Sequence, residues 1–353
     1  MQIPTEPIGS IPRPKALVEG LKNYAGGKLS KPELDQLYHE AVLDTLAQFA
    51  ATGSPVISDG EQTKPSFVTY PIQGMENLDP DGILIPFADG HTRQLPRLTG
   101  GPFKYRVNAV SYYKNARKLT NLPLKQAVIS ASALSLLYPP QDIRGYSREA
   151  FLADLVNENE ADIRYCLESG AEKVQIDFTE GRLAVKLDPS RQLLKSFIAL
   201  NNQVLERFSD LERKRIGVHA CPGADHDSTH SADVDYTALL PLLFELQVDN
   251  FYLQFSNEKN KGRVLASIRD NLKPGQRVFI GVTDVCSPIV ETPEDICHAI
   301  LEASAFIPFD QLGTTDDCGF SPFADDESTG REIAFQKIRA RVEGTRLAGL
   351  QLK

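Results

Sequence analysis

The sequence predicts an α/β fold, a (β/α)8 TIM barrel, and three observations carry that expectation. From about residue 125 onward, short β-rich runs alternate with amphipathic helical stretches; two further β-α units precede them, giving eight; and polar residues gather where the runs give way to loops. Strands separated by helices pair in parallel through right-handed crossovers, and eight such units are the number that closes a barrel. The 353 residues are expected to form one domain, since α/β barrels commonly use about 250 residues or more as a single unit.

Taken in order, the first unit is EPIGS (6–10), with a helix from about Lys31 to Ala51, and the second run is PVISDGE (55–61). Residues 64–125 interrupt the rhythm with Gly- and Pro-rich alternating segments such as GILIPFADGHTRQLPRL, expected as an inserted hairpin and cover over one end of the barrel. QAVISAS (126–132) is an apolar strand, followed by a helix from about Ser147 to Ser169 with Phe151, Leu152, Leu155, Ile163 and Leu167 on its apolar face. Then come KVQIDF (173–178), a helix near 189–208, RIGVHAC (215–221), a helix at about 234–247 and NFYLQF (250–255). A short helix near 261–271, RVFIGVTD (277–284), a helix at 292–305, FDQLGTT (309–315) and a long closing helix complete the series.

Composition sets the bounds on function. The chain is 41% hydrophobic and 24% charged, with no Trp and a net charge of −9, which argues against a nucleic-acid partner. No apolar run approaches the roughly 20 residues that span a bilayer, and the Pro- and Glu-bearing N-terminus does not read as a signal peptide, so a cytoplasmic location is expected. Five cysteines, an odd count, read as reduced thiols. Cys166 and Cys297 fall inside helical patterns as small buried hydrophobes, whereas Cys221, Cys286 and Cys318 fall where strands end.

The polar residues at the strand ends are Ser10, Glu61, Asp177, His219 with Cys221, Gln254, Asp284 with Cys286, and Cys318. In a barrel these ends form the active-site face. Residues i and i+2 of a strand point to one side, so the imidazole of His219 and the thiol of Cys221 can share one ion. Cys318, in TTDDCGF, supplies a third soft ligand, and a His-Cys-Cys set selects Zn2+ while leaving a position open for a substrate thiol. HDSTHSAD (226–233) is read as a solvated loop, and His39, His91 and His298 have no neighbours that suggest a role.

These residues resemble the C-terminal catalytic barrel of cobalamin-independent methionine synthases and their short single-domain relatives. The resemblance rests on IGSIPRP (8–14), SDGEQ (58–62), VQIDFTEGRL (174–183), VHAC (218–221), FYLQFSNE (251–258), GVTDVCSP (281–288) and DDCGFSP (316–322). It implies zinc on His219, Cys221 and Cys318, and homocysteine with its sulfur on the metal, its ammonium against Glu61 and Asp177, and its carboxylate near Ser10. The family's fourth ligand, a glutamate, falls on Gln254, with Glu258 four residues on as a substitute. The family's acid histidine falls on Cys286, which with Asp284 makes the expected catalytic pair, and Tyr138 is the candidate for the tryptophan that stacks on the donor.

The function implied is a zinc-dependent S-alkyl or methyltransferase that holds homocysteine or a related aminothiol as a zinc-thiolate for attack on an electrophilic carbon. The partners are a small thiol and an alkyl or methyl donor, with no nucleic acid or membrane and a possible homo-oligomer. Folate, a corrinoid protein and a smaller donor all remain open as the methyl source. An epoxide:thiol transferase of the coenzyme M type would need Arg or Lys for its sulfonate, which Arg13 and Arg182 could supply. A decarboxylase on the related uroporphyrinogen decarboxylase barrel and a non-catalytic barrel with structural zinc complete the alternatives.

Overall fold

The computed structural model describes residues 2–352. Its centre is a six-stranded parallel sheet whose strands follow one another in chain order: β1 (Lys125–Ile129), β2 (Lys173–Asp177), β3 (Ile216–Ala220), β4 (Asn250–Leu253), β5 (Arg277–Gly281) and β6 (Leu312–Thr315). These runs are Val-, Ile- and Leu-rich and almost wholly buried on both faces, as parallel strands covered by helices must be. Each edge is extended by one parallel bridge, Ile57 beside Leu124 at β1 and Thr5 beside Thr314 at β6. The two expected N-terminal strands are thus reduced to single bridges. Pro4, Pro7 and Pro55 remove ladder donors, and the chain turns through positive φ at Gly9 and Glu61.

The crossover helices fall largely where amphipathic periodicity placed them: Lys31–Thr52, Arg148–Glu168, Lys261–Asn271, Pro293–Ser304 and Arg331–Gln351. The helix anticipated near 189–208 is present as Gln192–Leu205; a further helix, Glu180–Leu187, precedes it across Asp188–Arg191, where Asp188 accepts from the Ser190 and Leu193 amides. One expectation needs correcting. The helix anticipated at 234–247 is only a 3-10 turn, Tyr236–Ala238, and the short Leu240–Leu243, with Pro241 in the first turn of the latter.

Residues 64–125 carry two short antiparallel pairs, Leu78–Asp79 with Arg97–Leu98 and Leu84–Pro86 with Thr92–Gln94, and the helix Val110–Arg117. A third small pair, Ala224–Asp225 with Ser228–Thr229, turns through His226 and Asp227, both at positive φ. The 84–94 hairpin is tied to it: the Ala88 amide donates to Thr229 O at 3.0 Å and the Asp89 amide to Ser228 Oγ at 3.2 Å. Among the described residues no helix is long and apolar enough to cross a membrane.

Candidate metal centre and its cavity

Three ligand-type side chains converge at the C-terminal ends of the strands. The donor atoms of His219, Cys221 and Cys318 all lie within 4.8 Å of one another, and the two sulfurs are 3.1 Å apart with no disulfide between them. His219 is the fourth residue of β3 and pairs in register with Asp177 of β2 and Tyr252 of β4. Its Nδ1 lies 3.2 Å from the Tyr252 carbonyl, which can only accept, so Nδ1 carries the proton. The lone pair is left on Nε2, which is buried and has no hydrogen-bond partner. An orphaned imidazole nitrogen beside two thiols fits a soft-metal site of the His-Cys-Cys type.

Cys318 is held by its neighbours. Asp317 accepts from the amides of Phe255, Ser256 and Asn257 at 2.8–3.0 Å, fastening the end of β6 to the loop after β4. Asp316 meets the buried Arg341 at 2.9 Å. The thiols are electrostatically unlike: the Cys221 thiol, through its hydrogen bond, holds Cys318 well below the ordinary range, while burial pushes Cys221 up. One of the two gives up its proton readily, as a thiolate ligand must.

His219 and Cys318 of this cluster line a cavity whose polar lining also includes Ser10, Glu61, Gln175 and Asp177. Phe67, Val68, Ile85, Phe87 and Phe323 contribute apolar lining. Glu61 adopts φ 55°, a strained backbone for a residue with a Cβ, and its carboxylate meets Lys64 Nζ at 2.7 Å. Asp177 accepts from Gln175 Nε2 at 2.7 Å, and burial pushes its carboxyl up to about 7. Ser10 packs so closely on Gly319 that a Cβ there would lie 2.1 Å from Ser10 Oγ.

Five anticipated residues stand elsewhere. The Gln254 amide oxygen accepts from Arg182 at 2.8 Å, and Glu258 meets the same guanidinium at 2.7 Å, so both carry an arginine rather than joining the sulfur cluster. Asp284 caps its own turn by accepting from the Cys286 amide, and neither residue is among those lining the cavity. Tyr138 packs against Phe151 and bonds Tyr146 O and the Ile143 amide through its hydroxyl, a core position away from the cavity wall.

Conversely, the structure brings in residues the sequence did not suggest. His230, read as part of a solvated loop, is buried and lines the cavity; burial pulls its imidazole down to about 4, so it is neutral. Gly223, at φ 70°, lets that ring lie against the main chain, where a Cβ would come within 1.9 Å of His230 Nε2. Arg93 binds the fully buried Asp225 through Nε and Nη2 at 2.5 and 3.0 Å, and Asp325 through Nη1 and Nη2 at 2.9 and 3.0 Å. Only an i,i+2 pattern in the insert, His91-Thr92-Arg93, hinted that this hairpin is a charged strap.

Residues 3–342 match the family described as cobalamin-independent synthase, catalytic domain. Methionine synthases of Saccharolobus solfataricus and Sulfurisphaera tokodaii are each 23% identical, over 99% of this chain and 96% and 94% of their own lengths. A B12-independent methionine synthase from Shewanella, solved in complex with selenomethionine, superposes with a TM-score of 0.78 at 22% identity over 100% of this chain and 99% of its own. A Listeria monocytogenes protein described as a putative vitamin-B12 independent methionine synthase gives 0.72 at 20% identity over 98% of each chain. The fold is therefore TIM-barrel-like, and the chain belongs to the cobalamin-independent synthase catalytic-domain family.

Proposed function

We propose that this chain is a zinc-dependent methyltransferase of the methionine-synthase type, with homocysteine as its thiol. The observation that carries the reading is the buried cluster of His219 Nε2, Cys221 and Cys318, of which His219 and Cys318 line a cavity together with Glu61 and Asp177. His219, Cys221 and Cys318 would hold zinc, which when bound lowers the pKa of a thiol and keeps it a nucleophilic thiolate at neutral pH. With Gln254 and Glu258 engaged by Arg182, three protein ligands leave the fourth position for the substrate sulfur.

The protein's own groups do the remaining work. Glu61 and Asp177 face an amino-acid ammonium, and two carboxylates are what a desolvated ammonium requires. Lys64 fixes Glu61 in position and balances its charge. The phenylalanine wall excludes water from the reacting sulfur. Arg13 and Arg182, the cations a sulfonate thiol would have needed, are both spent within the protein. Arg13 bonds the carbonyls of Glu61, Lys64, Ser321 and Phe323; Arg182 bonds Gln254, Glu258, Ala232 and Val234.

The same reading takes the chain as one domain and its sheet as a closed eight-membered barrel. It is supported by the two edge bridges, by Ile11 N donating to Gly60 O at 3.0 Å and by Ser58 Oγ donating to Gly9 O at 2.6 Å. Metal analysis of the purified full chain tests the function. One zinc per chain is expected, lost in His219→Ala and Cys318→Ser, and a cobalt-substituted sample should develop a new thiolate-to-cobalt band on adding homocysteine. Full zinc retention by Cys318→Ser would sink the proposal.

A further inference from the structure

We infer that the methyl donor is an onium compound, a small sulfonium, rather than a polyanionic folate; this rests on the methyltransferase reading above. The first observation is the charge of the cavity wall. Its charged side chains, among the described residues, are Glu61, Asp177 and Arg93, and both edges of the Arg93 guanidinium are taken up by Asp225 and Asp325. His219 and His230 also line it, and His230 is neutral. Lys64, Arg13 and Arg182 are likewise bound to protein acceptors. A tail of several carboxylates would find no free cation here and would meet two carboxylates instead, an arrangement that costs affinity.

The second observation is the aromatic wall. Phe67, Phe87 and Phe323 all line the cavity, with Phe67 and Phe323 edge-to-face at 5.5 Å. Phe67 is only half-buried. Phe323 already carries the Arg93 guanidinium 4.1 Å above its ring, which shows that this wall accepts a cation on a π-face. Aromatic faces are the chemistry that recognises a methylated onium.

The reaction closes without an added proton. The homocysteine thiolate attacks a methyl carbon of the sulfonium; the new C–S bond forms as the old one breaks. The electron pair of the broken bond passes to the departing sulfur, which leaves as a neutral thioether. A folate leaving through nitrogen would need a proton at that atom, whereas the thioether leaves without one.

The experiment uses the zinc-loaded full chain with homocysteine and either trimethylsulfonium or methyltetrahydropteroyltriglutamate, with methionine measured by mass spectrometry. Methionine is expected from the sulfonium at least about tenfold faster than from the folate. Phe67→Leu, which keeps the bulk and removes the ring, should raise the sulfonium KM about tenfold, the size of one cation–π contact in a desolvated site, while Phe67→Tyr stays near wild type. Faster transfer from the folate, no transfer from the sulfonium in protein that binds homocysteine, or a Phe67→Leu variant with an unchanged sulfonium KM overturns the donor assignment alone. Failure of the cobalt-substituted protein to bind homocysteine overturns the methyltransferase reading beneath it.

Discussion

Replacing Arg93 with Met tests whether the 84–94 hairpin controls access to the Cys221 and Cys318 thiols. Arg93 is about three-quarters buried and forks onto Asp225, whose side chain is fully buried, and onto Asp325, which is two-thirds exposed. The exposed link contributes about 0–1 kcal/mol. Removing one partner of a buried pair costs about 3–5 kcal/mol. Asp225 keeps His91 Nε2 at 3.1 Å, and water reaches the rim once the arginine is gone, so about 2 kcal/mol of local closing free energy should be lost. By the equivalence of 1.4 kcal/mol and tenfold, that enlarges the open population about 30-fold. Metal-free protein treated with iodoacetamide, followed peptide by peptide, should alkylate Cys221 and Cys318 about 30-fold faster in Arg93→Met. Cys166, sealed inside the Arg148–Glu168 helix, is the internal control. Arg93→Lys should fall between, because an ammonium cannot reproduce the planar fork. Rates within twofold of wild type in a fully folded variant would refute the argument.

Three further outcomes are expected. Glu180 is buried with one oxygen accepting from Ser130 and Ser132 and the other unpartnered, and burial pushes it up to about 7. A raised carboxyl favours the fold fully below its unfolded value near 4.5 and loses that contribution as pH rises through 7. Glu180→Gln should therefore match wild type at pH 4.5 and exceed it by on the order of 2–3 kcal/mol at pH 8, in urea unfolding. Gly223→Ala should cost about 1 kcal/mol for its left-handed backbone and displace the His230 ring, visible as a shifted imidazole NMR resonance. Tyr138→Phe should cost about 1 kcal/mol in thermal unfolding while leaving homocysteine binding unchanged; weakened binding would return Tyr138 to the site.

Much of the fold was legible because its signals are local. The six strands from Lys125 onward are continuous apolar runs, and the helices between them carry their own periodicity and caps, such as Ser147 accepting from the Ala150 amide. The first two runs were equally β-like in composition, yet prolines and positive φ at Gly9 and Glu61 left each only one bridge. The spacing His219-Ala-Cys221 announced itself because strand geometry is a period of two. His230, Lys64 and Arg93 were not legible, since each reaches the cavity or its edge through loops whose course depends on tertiary packing. Tyr138, Asp284, Cys286 and Gln254 were assigned by position along the chain, and position does not say which way a side chain turns. Gln254 illustrates this best: Arg182, far away in sequence, claims its oxygen.

The contact between His219 Nδ1 and the Tyr252 carbonyl carries a consequence for how this site can change over generations. The acceptor that dictates which imidazole nitrogen is free belongs to the peptide backbone, so no exchange of side chain at 252 can remove it. Tyr252 is thereby free to serve the opposite end of the strand, where its hydroxyl meets Glu6 and its ring meets Lys125. What the arrangement does not tolerate is slippage: a one-residue shift of β4 against β3 would present an amide in place of the carbonyl and invert the choice of nitrogen. The ligand's protonation is written into strand alignment, a trait that point substitutions drift past and that insertions or deletions erase.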